Sequence, residues 1–240
     1  MAAPVIDNAA AGPGSTGSTS FSWSQTVGSV ANRILLIGVM NVAAPSGSQV
    51  NTVTSALSGA LTQIPGWLIQ GTVFNQIWLQ VFYLLNPVSG SDTLTVDFGT
   101  NTPGDACGCS ASYSGVDQVN PFGTLATNTG GVGSSTSSVV ASSAVGELVF
   151  SCAFMFSSGA TDMTPTSGVN ERCEGHSNLD NSYRLALGDA DGASTVTMGW
   201  SIDGSSLQWQ IGAIALKPVS SPFTPASVVG PFPTYRPDLP

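Results

Sequence analysis

The chain is written in short runs of period two, separated by Gly, Ser, Asn and Pro. In FSWSQTV, Phe21, Trp23 and Gln25 alternate with serines and Thr26, which predicts a half-buried strand. NRILLIGVMNV is apolar almost throughout from Ile34 to Met40 and predicts a central strand covered on both faces. QVNTVTSA, residues 49–56, alternates again and leads to ALTQI. TVFNQIWLQVFYLL, from Thr72 to Leu85, is the strongest apolar stretch. Its Val, Ile, Phe, Trp and Tyr residues predict a strand over the competing helix, and Asn86-Pro87 ends it, because proline lacks a ladder donor and biases its predecessor to extended backbone.

SGSDTLTVDFG, CGCSASYSG, ELVFSCAFMF, SYRLALG, STVTMGWSI and LQWQIGAIAL continue the series, giving about ten to twelve strands and no long amphipathic helix. Such a set predicts an all-β fold: a two-sheet antiparallel sandwich, jelly-roll-like or lectin-like, over residues 20–217. Residues 1–19 read as an N-terminal extension and 218–240 as a proline-rich C-terminal arm. NPFGTLATNTGGVGSSTSS, between Asn120 and Ser143, has little to bury and reads as a long surface connection between two halves of one sandwich, with a domain linker as the alternative.

Composition narrows the partners. Only 8% of residues are charged, and five Lys plus Arg against fourteen Asp plus Glu give a net charge of −9, with the cations scattered. A phosphate backbone or an anionic membrane surface needs clustered cations, so neither nucleic acid nor membrane is an expected partner. The surface must be wetted by hydroxyls and amides, a composition suited to the outside world. Yet MAAPVIDNAAAG has no basic start and no apolar core of export-signal length, and Ile34 to Met40 is too short to span a bilayer. Either a signal peptide has been cut away, or the protein is made in the cytoplasm and leaves inside a virion.

Several stretches are similar, as a set, to a β-sandwich module of bacterial surface proteins and tailed-phage virion structural proteins: LLNPVSG, SGVDQVNPFG and IGAIALKP, in that order within Phe21 to Pro218. The resemblance implies a jelly-roll-like or lectin-like fold without assigned enzymatic activity. The CGC stretch, where small apolar residues are usual, and the proline-rich extension depart from it.

Candidate chemistry is thin. Four cysteines are too sparse for a disulfide framework; Cys107, Cys109 and Cys152 read as buried thiols, and Cys173, in a polar loop, as the one to be exposed or paired. Glu171, Cys173, Glu174, His176 and Asp180 match no zinc spacing and suit an exposed acidic loop. GDADG sets Asp189 and Asp191 two apart beside glycines, as calcium loops do, but lacks the later ligands, so a turn is the simpler account. No nucleophile, base and orienting group line up. No catalytic residue, cofactor or metal is expected. Trp23, Trp78, Trp200 and Trp209 read as core, while Trp67, in IPGWLIQG, is the aromatic placed to be an interface anchor or sugar platform.

Seven of the fifteen prolines fall between Pro218 and Pro240, punctuated by Phe223, Val228, Val229, Phe232 and Tyr235. Proline-rich backbone loses little freedom on docking, and a plain solvated linker does not space aromatics this way. These five residues are the expected partner-binding groups, with Trp67. The expectation is a non-enzymatic virion structural protein, a capsid decoration or cement protein (or a head or tail fibre component) of a tailed phage. It would be held at the virion surface by its arm on capsid or other virion proteins, as a homo-oligomer or bound in an assembly. The alternative is a secreted or cell-surface module for adhesion or carbohydrate binding, with a glycan as ligand.

Overall fold

The structure, a computed structural model, describes residues 2–42, 49–74, 76–157, 162–166, 168–177, 182–206 and 208–220. Every regular element among them is a strand. The first nine are β1 (Val5–Ala11), β2 (Ser20–Val27), β3 (Ile34–Val42), β4 (Thr52–Ser55), β5 (Gly59–Ala60), β6 (Thr62–Gln70), β7 (Ile77–Leu85), β8 (Gly90–Asp97) and β9 (Asp105–Ser114). They are followed by β10 (Ala126–Gly130), β11 (Ser134–Ser142), β12 (Leu148–Phe156), β13 (Met163–Pro165), β14 (Asn170–His176), β15 (Tyr183–Asp191), β16 (Thr195–Ser206) and β17 (Gln208–Leu216).

The antiparallel sandwich is as expected from the sequence, but it is doubled. Two five-stranded sheets, ordered β1-β9-β3-β7-β6 and β10-β17-β12-β15-β14, face each other; a four-stranded sheet, β2-β8-β4-β5, backs the first, and a three-stranded sheet, β11-β16-β13, backs the second. Replacing β1, β2, β3, β4, β6, β7, β8 and β9 by β10 to β17 in turn converts the first pair of sheets into the second, with β5 alone unmatched. The chain is therefore a tandem repeat of one sandwich topology.

The register repeats too. β3 runs from Ile34↔Leu85 to Val42↔Ile77 against β7 and from Ile34↔Tyr113 to Val42↔Asp105 against β9. β12 runs from Leu148↔Asp191 to Phe156↔Tyr183 against β15 and from Leu148↔Leu216 to Phe156↔Gln208 against β17. Position for position, Gly38 matches Cys152, Cys109 matches Gly212, Tyr83 matches Asp189, and Tyr113 matches Leu216.

Three apolar layers separate the four sheets, and they explain the unbroken apolar runs. In β3, Ile34, Leu36 and Met40 enter the central layer between the repeats, while Leu35, Ile37 and Val39 enter the first repeat's own core with Phe21, Trp23, Leu94, Val96 and Phe98. In β12, Leu148, Phe150, Cys152 and Phe154 face the centre, and Val149, Ala153 and Met155 join Met198, Trp200 and Ile211 in the second core. β2 borders one apolar layer only and alternates strictly buried and exposed.

Several expectations are corrected. Residues 1–19 are not a separate extension, because β1 pairs with β9 from Val5↔Ser114 to Ala11↔Cys109. Residues 120–143 are not a loop but carry β10 and β11, whose inward Val139 and Ala141 are too few to mark a strand by pattern. The 20–217 unit is two sandwiches, each with its own core. The body also ends later than Pro218, which bridges to Val116; Val219 N donates to Gly115 O at 2.8 Å.

Candidate functional site

Trp67 is corrected first. It lies on β6, not in a loop, and is fully buried in the central layer with its ring 5.8 Å from that of Phe150. An indole packed on all sides offers no platform to a sugar or a partner. It covers Gly212, where an added Cβ would meet the ring's Cε2 at 2.7 Å. The matching contact across the centre is Cys173 on Cys109, so large-on-small on one side balances medium-on-medium on the other.

Cys173 is corrected likewise. It is on β14, buried, and joins Cys107, Cys109 and Cys152 in the central layer as a free thiol. Burial pushes the thiols of Cys107, Cys109 and Cys152 well up from their ordinary value, so they are inert where they stand. The small residues that frame them are required: a Cβ at Gly38 would sit 2.6 Å from Cys152 Sγ.

The GDADG stretch is strand up to Asp191, not a turn; its two carboxylates fall on one face of β15, but only Asp189 lies inside the body, Asp191 being the strand's last residue. Asp189 is fully buried and takes three donors: Arg172 by Nε at 2.6 Å and Nη2 at 2.8 Å, Tyr113 Oη at 3.1 Å, and Asn170 Nδ2 at 3.3 Å. Asp191 is exposed. Asp189 is thus a clamp between the repeats, with Tyr113 from one and Arg172 from the other, and it has no oxygen left for calcium. Burial and the neighbouring carboxylate raise the Tyr113 hydroxyl well above its usual range, and Asp189 raises Arg172. Both groups are held in the protonated forms that donate.

Of the acidic stretch around His176, Glu171, Cys173, Glu174 and His176 lie on the edge strand β14, not in a loop, and Asp180 lies outside the described residues. Glu174 Oε1 accepts from Met163 N at 3.0 Å and from Arg184 Nη1 at 3.2 Å, while His176 Nδ1 lies 3.1 Å from Ser177 O. Burial still raises the Glu174 carboxyl above its ordinary value. Among the described residues no group of three His, Cys, Asp or Glu is placed to hold a metal ion.

What the sequence did not reveal is the character of the end where the chain leaves the body. Gly115 sits at its hub, accepting from Val219 N and donating to Ala31 O, while Val116 N donates to Asn32 O at 2.9 Å. Around it Val5, Val30, Val88, Val119 and Val219 are exposed, with Leu57 beside Val88 and Val145 in the β11–β12 turn at the same end. Val119 is 84% exposed and Val145 91%. The loops that carry these side chains are fixed. Arg33 donates to Pro87 O at 2.9 Å and Val30 O at 3.0 Å, and Asp117 Oδ1 accepts from Val119 N and Asn120 N, which lowers its carboxyl pKa. The chain leaves β9 at Gly115, which takes φ +75, a conformation glycine adopts without strain.

Phe223, Val228, Val229, Phe232 and Tyr235 lie outside the described residues, and the segment that carries them starts from this valine-rich end. No family model, curated protein or solved structure matches the chain.

Proposed function

We propose that this chain is a non-enzymatic structural protein of a virion, a capsid decoration protein of a tailed phage in its most concrete form, attached to other virion proteins through its C-terminal segment. The observation that carries this reading is the preorganised, valine-studded end from which that segment departs. Apolar groups on loops pinned by Arg33 and Asp117 give up little entropy on docking, and each square ångström of apolar surface covered contributes about 25 cal/mol before association costs. The buried carboxylate of Asp189 is committed to holding the repeats together, which supports a role served by shape. A sparsely charged, hydroxyl-rich surface and the resemblance of LLNPVSG, SGVDQVNPFG and IGAIALKP to virion and surface modules point the same way.

The test compares the full chain with one ending at Ser220, after all seventeen strands, for occupancy on purified particles. The full chain should decorate them. The shortened chain should melt as the full one does and lose at least nine-tenths of its occupancy. Equal occupancy of the two forms, or a full chain that never copurifies with particles, overturns the proposal.

A further inference from the structure

The repeats part company at one place. In the first, Asn51 N donates to Asp97 O at 2.9 Å, and the chain runs on beside β8 as β4, as far as Ala56, whose N donates to Thr93 O at 2.9 Å. In the second, the matching bond is present, Thr166 N to Gly199 O at 3.0 Å, but the chain then turns away: Val169 N bonds back to Thr166 O at 3.1 Å and Gly168 takes φ +89. β13 pairs only with Trp200 to Ile202. Among the described residues no strand lies beside Thr195–Met198 on the side away from β11.

The free edge has a defined pattern. On β8, Thr93 and Asp97 turn their carbonyls to β4, so the odd-numbered residues face that side. The matching Thr195 and Thr197 therefore aim a carbonyl, and for Thr197 also an amide, away from β11. The same residues border an open depression of about 580 Å³, lined by Gly168, Asn170, Asp191, Thr195, Val196 and Thr197. An unpaired edge beside a depression is a template for an added strand.

We propose that this edge is a strand-acceptor site, filled in the assembled state by Ala226–Gly230 of a second copy's C-terminal segment, added antiparallel to β16. The inference rests on the segment being a docking arm. Within that arm ASVVG is the longest run without proline, bounded by Pro225 and Pro231, and it holds the adjacent β-formers Val228 and Val229. It is also about as long as β4, the strand it would imitate. A second copy, not the chain's own arm, can supply the antiparallel sense of the strand that would be imitated. The arm leaves at Val219, at the end of the body where Thr195 lies, and would enter alongside β16 in the parallel sense.

The test uses full chains and a short bifunctional maleimide; the four native thiols are buried and stay silent. One chain carries Thr197→Cys and the other Ser227→Cys. Their mixture should give a covalent dimer as the main product, and Val228→Pro with Val229→Pro in the donor should cut its yield at least tenfold. Undiminished yield from the proline donor, no dimer at all, or an intramolecular link as the main product of a chain carrying both cysteines each overturns the site. Failure of cross-linking while the full chain still decorates particles refutes the acceptor edge and leaves the arm standing. Cross-linking with equal decoration by the chain ending at Ser220 refutes the arm's role on particles.

Discussion

The two repeats share a topology and a register, yet they solve the same packing problem with different residues. Where the first repeat sends Trp67 across the centre onto Gly212, the second sends Cys173 onto Cys109. Where the first places Tyr83 edge-on against Phe122, with ring centres 4.9 Å apart, the second places Asp189 in a clamp of Arg172 and Tyr113. A close-packed interior fixes the sum of the volumes at a contact, not the identity of either partner. The comparison teaches that the interface between the repeats is asymmetric in chemistry although symmetric in backbone, and each difference can be attacked by itself.

The largest effect is expected from Trp67→Ala, which empties a fully buried site and should cost about 3 to 5 kcal/mol in urea unfolding, against about 1 to 2 kcal/mol for Cys173→Ala at the matching position. Equal costs would mean that the two crossings are equally well packed. Asp189→Asn leaves Arg172 facing a neutral group and should cost about 2 to 4 kcal/mol, the lower part of the range reflecting the partial exposure of Arg172. Tyr83→Phe at the matching position should change stability by less than about 0.5 kcal/mol. A clamp no more sensitive than the aromatic pair would remove its role as the tie between repeats.

Gly38→Ala forces a Cβ against Cys152 Sγ and should cost about 1 to 3 kcal/mol. Because the two positions match, Cys152→Gly in the same chain should recover more than half of the lost melting temperature; no recovery would mean that the strain lies in the backbone. The smallest effect concerns Glu174. Its carboxyl is raised by burial in the fold, so the folded chain binds that proton more readily than the unfolded one. The stability it contributes is present at low pH and is lost as pH rises through the raised value. Glu174→Gln should therefore gain on the parent protein as pH rises from 4 to 7, seen as a widening difference in melting temperature; a difference independent of pH would show that the Arg184 contact offsets the burial.

Much of the body was legible. The inner strands β3, β7, β9, β12 and β17 announce themselves because both faces are covered and most positions are apolar or small, and β2 because one face is wet. β10, β11 and β14 of the second repeat were not legible. β11 buries only Val139, Ala141 and Ser137 in a field of serines, which is also how a loop reads. Trp67 is hidden from the pattern because Pro65 and Gly66, which precede it, are turn-forming residues. The positive φ of Gly66 and the register shift between Gln63 and Leu68 show a bulge that the strand tolerates at an edge. The repeat itself leaves one trace: GSDTLTVDF, residues 90–98, and GASTVTMGW, residues 192–200, carry Gly, Thr, Thr and three apolar residues at the same spacing.

The hub at Gly115 has a consequence for chain connectivity. Val5 pairs with Ser114 and Val219 bonds to Gly115, so the first and last parts of the body are anchored one residue apart on the same support. Joining them by a short bridge and opening the chain between β9 and β10 would give a circular permutant that keeps all four sheets, with the repeats in the reverse order.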